Sequence, residues 1–206
     1  MSRALPAALT VAAFALVAAS VALAAPVSQP LNPPVPPYYT CHAVGNGTIC
    51  TGTAPAESWG PIDTALEGIP ISCGAFDVYD SGTDVLSASR MYDADGNLVR
   101  RVLRDDYTYG AFSNPLTGTV VPYSQSDIRT QELGVPGDLG SITETTRWNI
   151  HFHMPGAGSP VFMNTGRTVQ GPDGTVESMA GRLDFFTLFG GGDTAVLGPL
   201  CAALGA

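Results

Sequence analysis

The chain has 206 residues, eighteen acids against nine arginines and no lysine, for a formal net charge of −9. That balance excludes a nucleic-acid or anionic-membrane binder, both of which need clustered positive charge. Beyond its first residues no segment approaches the ~18 consecutive apolar positions of a membrane span.

Residues 1–24 read as a secretory signal peptide: Arg3, then an apolar run from Leu5 to Leu23, then an Ala22-Leu23-Ala24 cleavage site. Export places the mature protein outside the cell and argues against a cytosolic enzyme. Residues 25–37 follow as a spacer. Six prolines between Pro26 and Pro37 forbid helix and sheet and favour an extended polyproline-type conformation. The remainder, 38–206, is the length of one domain.

The domain begins with a hairpin. Gly45-Asn46 is a two-residue turn signal, and in its register Cys41 faces Cys50. Directly opposed residues of an antiparallel pair have the Cα spacing a disulfide needs. Four cysteines in an exported chain read as two disulfides, so Cys73–Cys201 follows by elimination. Closing so long a loop contributes roughly 4–5 kcal/mol in the chain-entropy model. A metal site is the rival reading, but no cysteine–histidine ligand spacing is present.

Strands are expected at 71–79, 85–92, 98–107, 119–133, 141–154, 161–170 and 175–188. Clusters such as Asp93-Ala94-Asp95-Gly96-Asn97 and Gly171-Pro172-Asp173-Gly174 separate them. In the last hairpin a bulge at Gly174 would set Val169 opposite Glu177. In 141–154, Trp148, Ile150, Phe152 and Met154 alternate with Arg147, Asn149, His151 and His153, one apolar face and one polar. The only helix expected is a turn or two from Asp193, limited by Gly198-Pro199. Consecutive antiparallel strands without helical crossovers predict an all-β, up-and-down meander. Closure into a barrel would remove its unpaired edges. The outline is that of lipocalin-like or allene-oxide-cyclase-like barrels, at the level of fold alone.

Two constellations carry the ligand-binding expectation. His151 and His153 lie on one strand face with Arg147 and Asn149. Two histidines at i and i+2 offer two metal ligands, but a third is not locatable, so no metal is assigned. Arg90, Arg100, Arg101 and Arg104 crowd one hairpin. With the usual bulge at Gly96, Arg90 would face Arg100 and share a side with Arg104, able to clamp a carboxylate, sulfate or phosphate. The acids of the Asp93 turn satisfy the turn itself rather than a calcium loop, because the glycine is in the wrong place. Asp105 and Asp106 point to opposite sides of a strand and are no acid–base pair. No nucleophile elbow, phosphate loop, dinucleotide fingerprint or H-E-x-x-H motif occurs, so no catalytic residue and no cofactor is assigned.

The strings Cys41-His42-Ala43-Val44-Gly45-Asn46-Gly47-Thr48-Ile49-Cys50, Tyr92-Asp93-Ala94-Asp95-Gly96-Asn97-Leu98-Val99-Arg100-Arg101 and Asn164-Thr165-Gly166-Arg167-Thr168-Val169 resemble uncharacterised secreted proteins of actinobacteria. The resemblance spans most of the mature chain. It implies export and carries over no functional residue. The expected function is therefore a secreted, non-catalytic barrel that binds a small apolar or anionic ligand or contacts another extracellular protein. The alternative is a small secreted enzyme, an isomerase or hydrolase, using polar groups in the barrel mouth. Buried polar groups with perturbed ionisation, converging on a cavity, distinguish the second from a filled interior.

Overall fold

The computed structural model describes residues 29–66, 71–152, 162–183 and 194–205, with side chains for all of these except 162–164, 183 and 194–196. Among the described residues nine strands run in order: β1 (Tyr39–Val44), β2 (Gly47–Thr53), β3 (Glu57–Asp63), β4 (Tyr79–Tyr92), β5 (Leu98–Ser113), β6 (Val120–Leu133), β7 (Ile142–Phe152), β8 (Phe162–Gln170) and β9 (Val176–Leu183). A helix, α1 (Thr194–Leu204), follows. From β4 to β9 each strand pairs antiparallel with the next, and β2 and β3 share the other edge of β4. The meander and both disulfides agree with the sequence. The sheet is open among the described residues, with β9 pairing only β8 and β1 only β2. The expected leader, His153, the residues past 183 of the expected last strand and Asp193 lie outside the described residues.

Three local expectations are corrected. Residues 71–78 form a tight loop with a single Ser72–Asp77 bridge instead of a strand, and the regular ladder starts at Tyr79. Strand β3 was not legible because Gly60-Pro61 breaks its alternation. It survives as an edge strand with an irregularity between Trp59 and Ile62, where a proline without an N–H costs least. The helix runs through Pro199 for eleven residues. Leu197, Leu200, Cys201 and Leu204 recur at helical spacing and turn one stripe inward, and that burial outweighs the hydrogen bond lost at proline.

One face of the sheet, here the inner face, carries both core clusters. At one end Phe112, Val121, Tyr123, Ile150 and Phe152 pack under Leu200 and Leu204 of α1. Cys73–Cys201 ties the helix to the 71–78 loop at a Cα separation of 5.4 Å. Asn114 donates to the Leu204 carbonyl at 3.0 Å and so closes the helix C-terminus. Glycines make room for rings here. A Cβ at Gly82 would sit 2.2 Å from the Trp59 ring, and one at Gly110 would sit 2.4 Å from Tyr123.

At the other end Cys50, Tyr92 and Leu98 form a smaller cluster. Cys41 and Cys50 face each other as the hairpin register requires, with Cα atoms 4.0 Å apart. The expected spacer, where described, is docked on this cluster through Leu31 and Val35. Asn32 makes backbone hydrogen bonds to Gly96 and Leu98, and the Pro33 carbonyl accepts from the Tyr92 hydroxyl at 2.9 Å. Helix and proline-rich segment therefore close opposite ends of the inner face and leave its middle between them.

Candidate functional site

That middle is polar. Reading across the register, Leu86 faces Asp105, then Asp127, then Trp148. The next row is Ala88, Leu103, Arg129, Thr146 and Thr168, and the next is Arg90, Arg101, Gln131, Glu144 and Gln170. Asp84 sits beside this belt opposite Tyr107. Each of β4, β5, β6 and β7 thus turns charge toward the side on which both cores lie. Transferring a charge from water is costly unless it is paired and hydrogen-bonded.

Most of the belt meets that requirement. Arg129 bridges two acids, reaching Asp105 Oδ2 at 2.6 Å and Asp127 Oδ2 at 3.3 Å. Arg101 donates to the Gln131 amide oxygen, Gln131 donates to Glu144, and Thr146 donates to the other Glu144 oxygen at 2.9 Å. Trp148 Nε1 donates to Thr168 at 3.2 Å. Toward the aromatic end, Asp80 accepts from the Tyr123 hydroxyl at 3.0 Å and from Trp59 Nε1 at 3.2 Å.

Among the described residues three buried atoms of the belt lack a hydrogen-bond partner, Asp105 Oδ1, Arg90 Nε and Arg129 Nε, and only Asp105 Oδ1 is an acceptor. The Asp105 side chain is 13% exposed, and its Oδ1 is buried without a donor. The Asp84 carboxyl lies within hydrogen-bonding reach, and two carboxylates can satisfy each other only by sharing a proton. Burial first, then Asp84 and the charge of Asp127, push Asp105 up to about 6, against the pull of Arg129. Burial also raises Asp127, opposed by Arg129. Burial, then Asp105 and Asp127, raise the phenol of Tyr107. A small, partly open pocket of about 130 Å³ lies against the carboxyl pair, walled by Tyr38, Pro55, Glu57 and Leu86. Such a pocket accepts a small hydrogen-bonding group. Among the described residues no set of three or more His, Cys, Asp or Glu is placed to hold a metal ion.

The residues singled out from sequence are dispersed. Arg147 and Asn149 are exposed on the outer face. His151 is half-buried there, its Nε2 2.7 Å from Asn149 Oδ1. His153 lies outside the described residues. The arginine register is corrected. The irregularity falls between Met91 and Tyr92, so Arg90 faces Arg101, and Arg100 faces Met91. Arg100 and Arg104 therefore point outward, where they pair with Glu132 at 3.6 Å and Asp106 at 2.7 Å. The last hairpin shifts similarly, with Val169 opposite Ser178 and Thr168, not Val169, on the buried side.

A wider, open groove of about 500 Å³ lies mostly on the outer face, lined by Thr40, Thr51, Thr53, Ser87, Ser89 and Arg104. Hydroxyls dominate it, and its one charge is neutralised by Asp106. Asp84, Asp127, Arg129 and Glu144 were missed from sequence, and Asp105 was set aside. The signal was present in β6, whose odd positions read Val121, Tyr123, Gln125, Asp127, Arg129, Gln131 and Leu133. A face that is apolar at its ends and charged at its centre marks a polar belt rather than a core. The chain matches no protein-family profile, no curated protein and no solved structure, so geometry alone supports a functional reading.

Proposed function

We propose that this is an exported small-ligand-binding protein, non-catalytic, whose ligand lies on the inner face against the Asp84–Asp105 pair. The observation that carries the reading is the buried, donorless Asp105 Oδ1 beside a second carboxyl on a small, partly open pocket. A ligand hydroxyl, amide or amine supplies the missing donor and discharges part of the cost of burying that oxygen. Two disulfides support an oxidising compartment, and no helix among the described residues is long and apolar enough to cross a membrane. Closure of the meander into a lipocalin-like or allene-oxide-cyclase-like barrel belongs to the same proposal. It would pair the free edges of β9 and β1 and turn the inner face into a cavity.

A second reading is favoured by the same pair. A carboxyl raised to about 6 beside another carboxyl and a half-buried phenol is equipped for proton transfer, as an isomerase or hydrolase requires. The experiment is an NMR fragment screen against the ¹⁵N-labelled protein. Shifts centred on Asp84, Leu86 and Asp105 are expected. Shifts confined to Thr51, Ser87 and Arg104 on the outer face, or none, would overturn the proposal. Chemical turnover of a bound fragment that is lost in Asp105→Asn would move the conclusion to the enzyme.

A further inference from the structure

We infer a second, oxyanion-binding subsite on the inner face, formed by Arg90 and Arg101 and floored by the ring of Tyr39. The two arginines are direct cross-strand partners, so their side chains leave the sheet on the same side. Like charges directly opposite one another in a ladder are destabilising, and an acidic chain had eighteen carboxylates with which to cancel them. It does so elsewhere. Arg129 holds two aspartates, while Arg100 and Arg104 hold Glu132 and Asp106. Neither Arg90 nor Arg101 has a carboxylate within 4 Å among the described residues. Arg101 reaches only the neutral amide of Gln131, with Glu144 one residue further on.

Neither cation is fully satisfied: burial first, then the charge of Arg90, lower Arg101, and Arg90 keeps one buried donor open. Its Nη1 donates to the Pro34 carbonyl at 3.2 Å, and its Nε is buried without an acceptor. The guanidinium lies 5.1 Å from the centre of the Tyr39 ring, which holds its plane in place. A buried donor without a partner, on one of two facing cations, is what an anion between them would satisfy. Planar guanidiniums present paired donors to carboxylate, phosphate or sulfate oxygens, and a pair bound between two arginines is stronger than either single bond. This subsite lies about 13 Å along β5 from Asp105, four residues at strand rise, so it is separate from the carboxyl pocket.

The test is a titration of the full mature protein with acetate, inorganic phosphate and sulfate, at ionic strength held constant with chloride, reading arginine Nε–Hε resonances. Arg90 and Arg101 are expected to shift together and saturate with one dissociation constant. Acetate saturating first assigns a carboxylate ligand, and phosphate or sulfate saturating first assigns a tetrahedral one. Arg90→Gln and Arg101→Gln should each weaken binding at least tenfold, while Arg100→Gln, on the outer face, leaves it unchanged. Protection of Arg90 and Arg101, but not Arg147, from phenylglyoxal by the same anions checks the assignment without any substitution. Linear, unsaturated shifts, or an equal loss in Arg100→Gln, would overturn the inference. A saturable response at the arginines with a silent carboxyl pocket would keep this subsite and defeat the ligand site proposed above, and the reverse pattern would do the opposite.

Discussion

Two adjacent pairs in β5 show how one strand gives the same side chain two fates. Arg100 and Arg101 are neighbours, and so are Asp105 and Asp106, yet each pair straddles the sheet. The outward members lie nearer water: Arg100 pairs with Glu132 at 3.6 Å through a buried Nε, the two side chains 43% and 69% exposed, and Arg104 holds Asp106 at 2.7 Å. The inward members meet one another. Asp105 faces Asp127 and Arg101 faces Arg90, like charge against like in both rows. Exposed ion pairs contribute little because water screens them. Charges on a half-buried face must find a counter-charge, a proton or a ligand. The belt uses a counter-charge at Arg129, a proton at Asp84–Asp105 below about pH 6 and, on the inference of a second subsite, an anion at Arg90–Arg101.

The sharpest way to break this comparison is to remove the inner counter-charge. Arg129→Met leaves Asp105 and Asp127 facing each other without a cation and should cost about 2–3 kcal/mol, below the full figure for a buried pair because Arg129 is 30% exposed. Urea unfolding at neutral pH measures it. A loss below 0.5 kcal/mol would place the inner ion pairs on the same footing as the outer ones.

The next effect has the opposite sign. Asp84→Asn removes one like charge and supplies an N–H for Asp105 Oδ1, so the protein should gain about 1 kcal/mol at pH 7, allowing for screening in the open middle of the sheet. The pH dependence follows from the raised value of about 6. Between about pH 4 and pH 6 the folded chain holds a proton that the unfolded chain releases. Stability from this group is therefore present at low pH and lost as the pH rises through 6. The gain in Asp84→Asn should fade at pH 4, and denaturation curves at the two pH values check this.

The smallest effect is the outer control. Arg104→Ala should change stability by less than 0.5 kcal/mol, and less still at high salt. A larger change would show that the outer groove, which Arg104 lines, depends on this ion pair.

Much of the fold was legible because strand alternation and turn chemistry are local. Gly45-Asn46 fixed the first hairpin and hence Cys41–Cys50, and the Trp148-Ile150-Phe152 alternation assigned the buried face of β7. The misreadings came from single-residue insertions. One bulge between Met91 and Tyr92 exchanged Arg100 for Arg101 as the partner of Arg90, because a shift of one residue reverses every side chain beyond it. Nothing in Asp93 to Asn97 states on which side of the turn the extra residue falls. The carboxyl pair was hidden for a different reason. Asp84 and Asp105 are diagonal neighbours on adjacent strands, Asp84 opposite Tyr107 and Asp105 opposite Leu86, and their chemistry exists only in the folded sheet. The stripe Leu197, Leu200, Cys201 and Leu204 was readable, and Gly198-Pro199 concealed it.

The most direct test of the polar belt is the titration of the Asp105 carboxyl carbon by ¹³C NMR in the folded protein. The account predicts a midpoint near 6 that falls toward the ordinary 3.8 in Asp84→Asn. A midpoint near 3.8 in the unsubstituted protein would mean that the two carboxyls share no proton and that the carboxyl pocket is no site.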